Sequence, residues 1–156
     1  MKKFAYKMEN ILEIKYQLEE QAKTSYGNAR NALSKEEKKL DSLKKQQSEF
    51  YSELTDLIRS KIDLVKVNKY KEAINTYKTY IKQQENKVAI AKQKVESARQ
   101  KLQEAMVERK THEKLKEKAL EDYILEYEEE QQKEIDEITS YRYTNLVQSK
   151  EGLNAG

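Results

Sequence analysis

The stretch KVAIAKQKVESARQKLQEA, residues 87–105, places apolar side chains at Val88, Ala91, Val95, Ala98, Leu102 and Ala105. The steps between them alternate three and four, which is the a/d pattern of a coiled-coil helix. The same phase reaches back through Ile81, Tyr77 and Ile74 and forward to Ala119, with Gln84, Arg109, His112 and Lys116 as polar members. Ala91, Ala98 and Ala105 share one seam position, where small residues let two helices approach closely. Beyond Ala119 the phase blurs, although Leu120, Ile124, Tyr127, Ile135 and Ile138 still recur at helical spacing.

A second series precedes it: Phe4, Met8, Ile11, Leu18, Ala22, Tyr26, Ala29, Leu33, Leu40, Leu43, Phe50, Leu54, Leu57 and Leu64, with Lys15, Glu36, Gln47 and Lys61 at the remaining positions. Ala22, Tyr26, Ala29 and Leu33 belong to an eleven-residue step, which predicts a local unwinding of the supercoil. Between Arg59 and Tyr70 the segment KIDLVKVN, residues 61–68, holds three β-branched residues and two that favour caps. Asn68 is the predicted N-cap there. The expected fold is therefore all-α, a long antiparallel two-helix coiled-coil hairpin within residues 1–149. At about 1.5 Å per residue, helix 1 (about 3–62) runs roughly 90 Å and helix 2 (about 68–140) roughly 110 Å, joined by a turn at about 63–68. Residues 150–156 are expected to be disordered. An axis near residue 65 sets the basic start, Lys2, Lys3 and Lys7, against Asp122, Glu126, Glu128 and Glu129. It also sets Glu13, Glu19 and Glu20 against Arg109, Lys110, Lys114, Lys116 and Lys118. Exposed pairs of this kind contribute only about 0.2–1 kcal/mol each, so their role is register. A parallel homodimer of one very long helix is the alternative, which the break near residue 65 disfavours.

Composition excludes much. Lys plus Arg number 31 and Asp plus Glu 28, a near-balance that argues against a nucleic-acid binder, which concentrates basic charge on one face. Without cysteine there is no disulfide and no thiolate chemistry. Glu9, Glu13 and Lys15 interrupt any apolar segment after the basic start, so no cleaved signal is expected. The longest uncharged run, Tyr143–Ser149, is too short to span a bilayer. Catalysis needs groups converging in a concave, partly dry site, and a two-helix rod offers no interior for one. His112, the single histidine, reads as a polar seam residue. The carboxylates of Glu126–Glu130 read as a solvated helix face. No enzymatic activity, metal, cofactor or small-molecule substrate is expected.

What remains is contact surface. Phe50 and Tyr51 are adjacent, and Tyr77, Tyr80 and Ile81 crowd together, so one face cannot bury them all. With the axis at residue 65, Phe50 and Tyr80 come level, and the surplus aromatics near the tip read as a partner patch or as a thickened core. At the open end helix 2 overhangs. Gln131–Tyr143 there carries Ile135, Ile138, Tyr141 and Tyr143 with no partner helix from this chain.

Several segments resemble the flagellar export protein FliJ family. They are KFAYKMENILEIK (residues 3–15), LDSLKKQQSEFYSEL (40–54), YKTYIKQQENKV (77–88), ERKTHEKLKEK (108–118) and the closing stretch Gln131–Arg142, in family order across nearly the whole chain. The resemblance implies a helical hairpin like the central stalk of rotary ATPases. It would be a non-enzymatic coupling component of type III flagellar export, cytoplasmic and held at the inner face of the cell membrane through its partners. Those partners would be the export ATPase FliI, the export gate protein FlhA and export chaperones. The resemblance assigns gate contact to Leu43, Gln46, Phe50, Tyr77, Tyr80 and Gln84; family members often carry an aromatic at Gln46 and an apolar residue at Gln84. It assigns the ATPase ring to the open end, with Lys3, Phe4, Lys7, Ile11, Tyr127, Ile135, Ile138 and Tyr141. The alternatives are a structural or chaperone-like self-associating coiled coil and the equivalent stalk of a virulence secretion system.

Overall fold

A computed structural model describes residues 2–60 and 63–154. They form two helices, α1 (Glu9–Ser60) and α2 (Leu64–Asn154), packed antiparallel as a hairpin, with no strand among the described residues. The chain divides into a terminal unit, Met1–Lys15 with Glu108–Gly156, and a turn unit, Tyr16–Val107. The expected end of helix 1 at residue 62, the seam position Lys61 and the last two residues of the tail lie outside the described residues.

Four boundaries differ from the sequence reading. Helix α1 begins at Glu9 and not near residue 3: residues 2–6 are non-helical, and the Glu9 carboxylate sits in the first turn, where the helix dipole favours it. Asn68 is interior to α2, and Asp63 takes the cap. Its carboxylate accepts from the Val65 amide at 3.1 Å and its carbonyl from Val67 at 2.9 Å. Residues 64–68 thus belong to α2 and not to the turn. Helix α2 also runs through residue 140 to Asn154, since nothing from Ser140 to Glu151 breaks a helix.

An earlier turn moves every facing pair. Phe50 is not level with Tyr80. Its ring meets Tyr77 at 5.3 Å and Tyr70 at 6.4 Å. In the same register the Gln47 side chain donates to the Ile74 carbonyl at 3.3 Å, and Gln84 donates to the Glu36 carbonyl at 3.0 Å and to its carboxylate. In the terminal unit Lys116 pairs across the helices with Glu9 at 2.8 Å and Lys15 with Glu108 at 3.4 Å.

In the turn unit Gly27 and Gln46 are half-buried beside a seam on α1 whose buried or half-buried members are Glu19, Ala22, Tyr26, Ala29, Leu33, Glu36, Leu40, Leu43, Gln47, Phe50, Leu54 and Leu57. Their steps alternate three and four throughout, so the eleven-residue step is absent. The sequence reading chose Leu18 because it is apolar. The helix instead turns Glu19 inward, to 4% exposed, and leaves Leu18 44% exposed. The Lys23 ammonium lies 3.5 Å from the Glu19 carboxylate and offsets part of its burial. Roughly two turns earlier the phase is shifted by one residue in the same way, with Leu12 buried and Ile11 exposed. On α2 the phase holds upstream too, through Tyr70 and Val67.

Gly27 lies inside α1, and a methyl group added there would meet nothing within 4 Å. Gly27→Ala should therefore raise stability by about 0.5–1 kcal/mol, through reduced backbone entropy of the unfolded chain, in urea unfolding. Glu36 gives a pH signature. The hydrogen bond from Gln84 holds its carboxyl below the ordinary value of 4.5. Its contribution is present above that value and is lost as pH falls through the lower folded value. Gln84→Met should flatten the acid limb of the stability–pH curve below 4.5 relative to wild type; an unchanged slope would show that the pair adds nothing.

Candidate interaction surfaces

In the turn unit the aromatic residues form a chain of contacts. Phe50 packs edge-on against Tyr77, and Tyr77 against Tyr80 at 5.7 Å. Tyr77 continues the seam, so its ring is half-buried, while Tyr80, three residues on, turns outward and is 47% exposed. Phe50, Tyr77 and Tyr80 are thus brought together. Leu43 and Gln46 lie half-buried further along α1. Gln84 is 6% exposed with its amide nitrogen engaged by Glu36. Its place in the fold is that of a register lock between the two helices.

Sequence reasoning missed Tyr70 and the cavity beside it. That cavity, about 420 Å³, is lined by Phe50, Lys66, Lys69, Tyr70 and Ala73. Glu53 accepts a hydrogen bond from Tyr70 and holds the phenol above its ordinary value of 10.0. The signal was present: Tyr70 stands four residues before Ile74, in phase. Placing the cap at Asn68 ended the pattern too soon.

In the terminal unit the chain before α1 lies along α2. The Tyr123 hydroxyl donates to the Lys2 carbonyl at 2.6 Å, and the Phe4 ring meets Tyr123 at 5.4 Å. Tyr123 stacks on Tyr127 at 6.4 Å. An open cleft of about 610 Å³ there is lined by Lys2–Met8 and by Ala119, Asp122, Tyr123 and Glu126. Lys3 and Lys7 line this cleft together with Asp122 and Glu126. Tyr123 holds this arrangement together. It stands four residues after Ala119, one step past the point where the phase seemed to end.

Ile11 is exposed on α1, as are Met8 and Ile14 beside it. On α2 every described side chain from Ile124 onward is exposed, including Tyr127, Ile135, Ile138 and Tyr141. Leu146 joins them. Large apolar groups on an uncovered helix stretch of this length mark a contact surface. His112 is a half-buried seam residue, with Glu108 3.9 Å away on its own helix. Among the described residues no cluster of metal-ligating side chains occurs. No described helix is long and apolar enough to cross a membrane.

No curated protein matches the chain. Among solved structures, a YscO homolog from Chlamydia trachomatis is similar at 22% identity, covering 94% of this chain and 99% of that one, with a TM-score of 0.47. The family described as Flagellar FliJ protein matches residues 4–147. With the match spanning both helices and both surfaces, the chain belongs to the FliJ family.

Proposed function

We propose that the chain is a non-enzymatic coupling component of flagellar type III protein export. Its terminal unit would contact the export ATPase FliI, and the Phe50–Tyr77–Tyr80 surface would contact the export gate FlhA. Export chaperones are further partners. Membership of the FliJ family supports the coarse reading, a component of a type III export apparatus. The observation that carries the finer one is the uncovered stretch of α2, with Tyr127, Ile135, Ile138 and Tyr141 exposed on a helix flanked by carboxylates. Such a stretch is apolar enough to bind and charged enough to stay in solution until a partner covers it. In this reading the protein is cytoplasmic and reaches the inner face of the membrane only through its partners. It needs no cofactor, small-molecule substrate or nucleic acid. The equivalent stalk of a virulence secretion system is the second reading, since such a stalk would use the same uncovered helix.

The test is ATP hydrolysis by the flagellar ATPase of the same cell, titrated with this protein. Wild type should stimulate turnover and show none alone. Ile135→Asp with Ile138→Asp should raise the half-saturating concentration about tenfold or more, without loss of helix content. Tyr80→Ala should leave stimulation intact and weaken capture of the gate protein. Failure of wild type to stimulate the flagellar enzyme, with stimulation of a virulence-system ATPase instead, would favour the second reading.

A further inference from the structure

The turn unit carries a surface that neither contact above uses. Where its seam is built from small residues, two grooves open beside it. One, about 250 Å³, is lined by Ala29, Ala32, Ala91 and Ile90 together with Lys87. The other, about 390 Å³, is lined by Ala22, Ser25 and Ala98 together with Lys101. Lys94 lines both, so they form one channel. Lys87, Lys94 and Lys101 are seven residues apart, so they recur along one face of α2 every 10 Å or so, roughly two helical turns. Ile90, between the first two, is half-exposed. The carboxylate at the channel, Glu36, is already held by Gln84. The channel thus offers a narrow apolar floor beside a row of cations, a shape and charge suited to an acidic amphipathic helix.

The chain itself carries such a helix. From Glu126 to Glu137 it holds seven carboxylates and one lysine. Tyr127, Ile135 and Ile138 are exposed on that stretch. Glu130 and Glu137 repeat at the seven-residue spacing of the lysines. We propose that the lysine-lined channel takes the acidic α2 segment, residues 124–147, of a second copy of the chain, laid beside the α1–α2 pair as a third helix. Charge complementarity selects the acidic stretch and sets its register, and Ile135 and Ile138 cover the small-residue floor and Ile90. The self-contact is independent of the export role. One consequence rests on that role: copies joined in this way mask the surface that would meet the ATPase, so self-association competes with ring binding.

The experiment is sedimentation equilibrium of the full chain across protein and salt concentrations. Self-association should be present at low salt and weaken about tenfold or more at high salt. K87E/K94E/K101E should weaken it about tenfold or more, and so should E130K/E137K, since several desolvated pairs are lost. Mixing the two variants should restore association as mixed pairs. All five positions are exposed, and circular dichroism should show unchanged helix content. A monomer at every concentration overturns the proposal and leaves the channel to a foreign acidic helix. Association indifferent to salt or to both charge reversals also overturns it, as does a mixture no tighter than either variant alone. None of these readings involves the ATPase, so failure here and failure of the export role are separately visible.

Discussion

The fixed period of the two-helix seam governs the rest of the molecule. A helix that must present a side chain every three and four residues has no freedom to choose an apolar one wherever it occurs. In α1 this constraint overrides hydrophobicity once, where Glu19 is drawn inward and Leu18 left outside, and elsewhere it chooses between neighbours of like character, burying Leu12 and exposing Ile11. Shifting the phase to bury Leu18 and Ile11 would misalign the seam positions that follow, from Ala22 to Leu57. Burying one carboxylate near Lys23 costs less than that. The same rule explains Gln84, which is buried because the phase places it there and tolerated because the Glu36 carbonyl and carboxylate receive its amide.

Much of this was legible in the residues. The series from Ile74 to Ala105 determines α2 without ambiguity, and the absence of proline leaves nothing to interrupt it. Two misreadings, the cap at Asn68 and the seam position at Leu18, share one cause, since local preference outranks phase in both. Asn68 is a better cap than Asp63 by neighbourhood, lying past a β-branched run, yet Tyr70 and Val67 continue the seam on both sides of it. Moving the start of α2 to Leu64 then shifts every cross-helix pair and separates Phe50 from Tyr80. The contact surfaces were legible in part, because exposed apolar residues on a charged helix stand out. Tyr123 did not stand out, since its importance lies in a hydrogen bond to a backbone carbonyl more than a hundred residues away, which no periodicity encodes.

The two units use different chemistry for the same pairing. In the turn unit the helices meet through small and apolar residues, with glutamine locking the register. In the terminal unit Arg109, His112 and Lys116 occupy the seam, and ion pairs replace much of the apolar contact. Polar seams contribute less than apolar ones, because each charge loses hydration as it gains a partner. The unit that carries the uncovered helix is thus also the one with the weaker internal pairing.

The tie between the Tyr123 hydroxyl and the Lys2 carbonyl also bears on how the chain comes together in time. In a hairpin the loop closed by each contact lengthens with distance from the turn: 27 residues for Gln47–Ile74, 48 for Gln84–Glu36 and 121 for Tyr123–Lys2. Each doubling of a flexible loop costs about 0.6 kcal/mol in closure entropy, so contacts near the turn form first and the rest close outward from them. A nascent chain therefore reaches the Tyr123–Lys2 contact only after α2 has been made as far as Tyr123, about two-thirds of its length. The Phe4–Tyr123 clasp is the final element to seat and the first to fray.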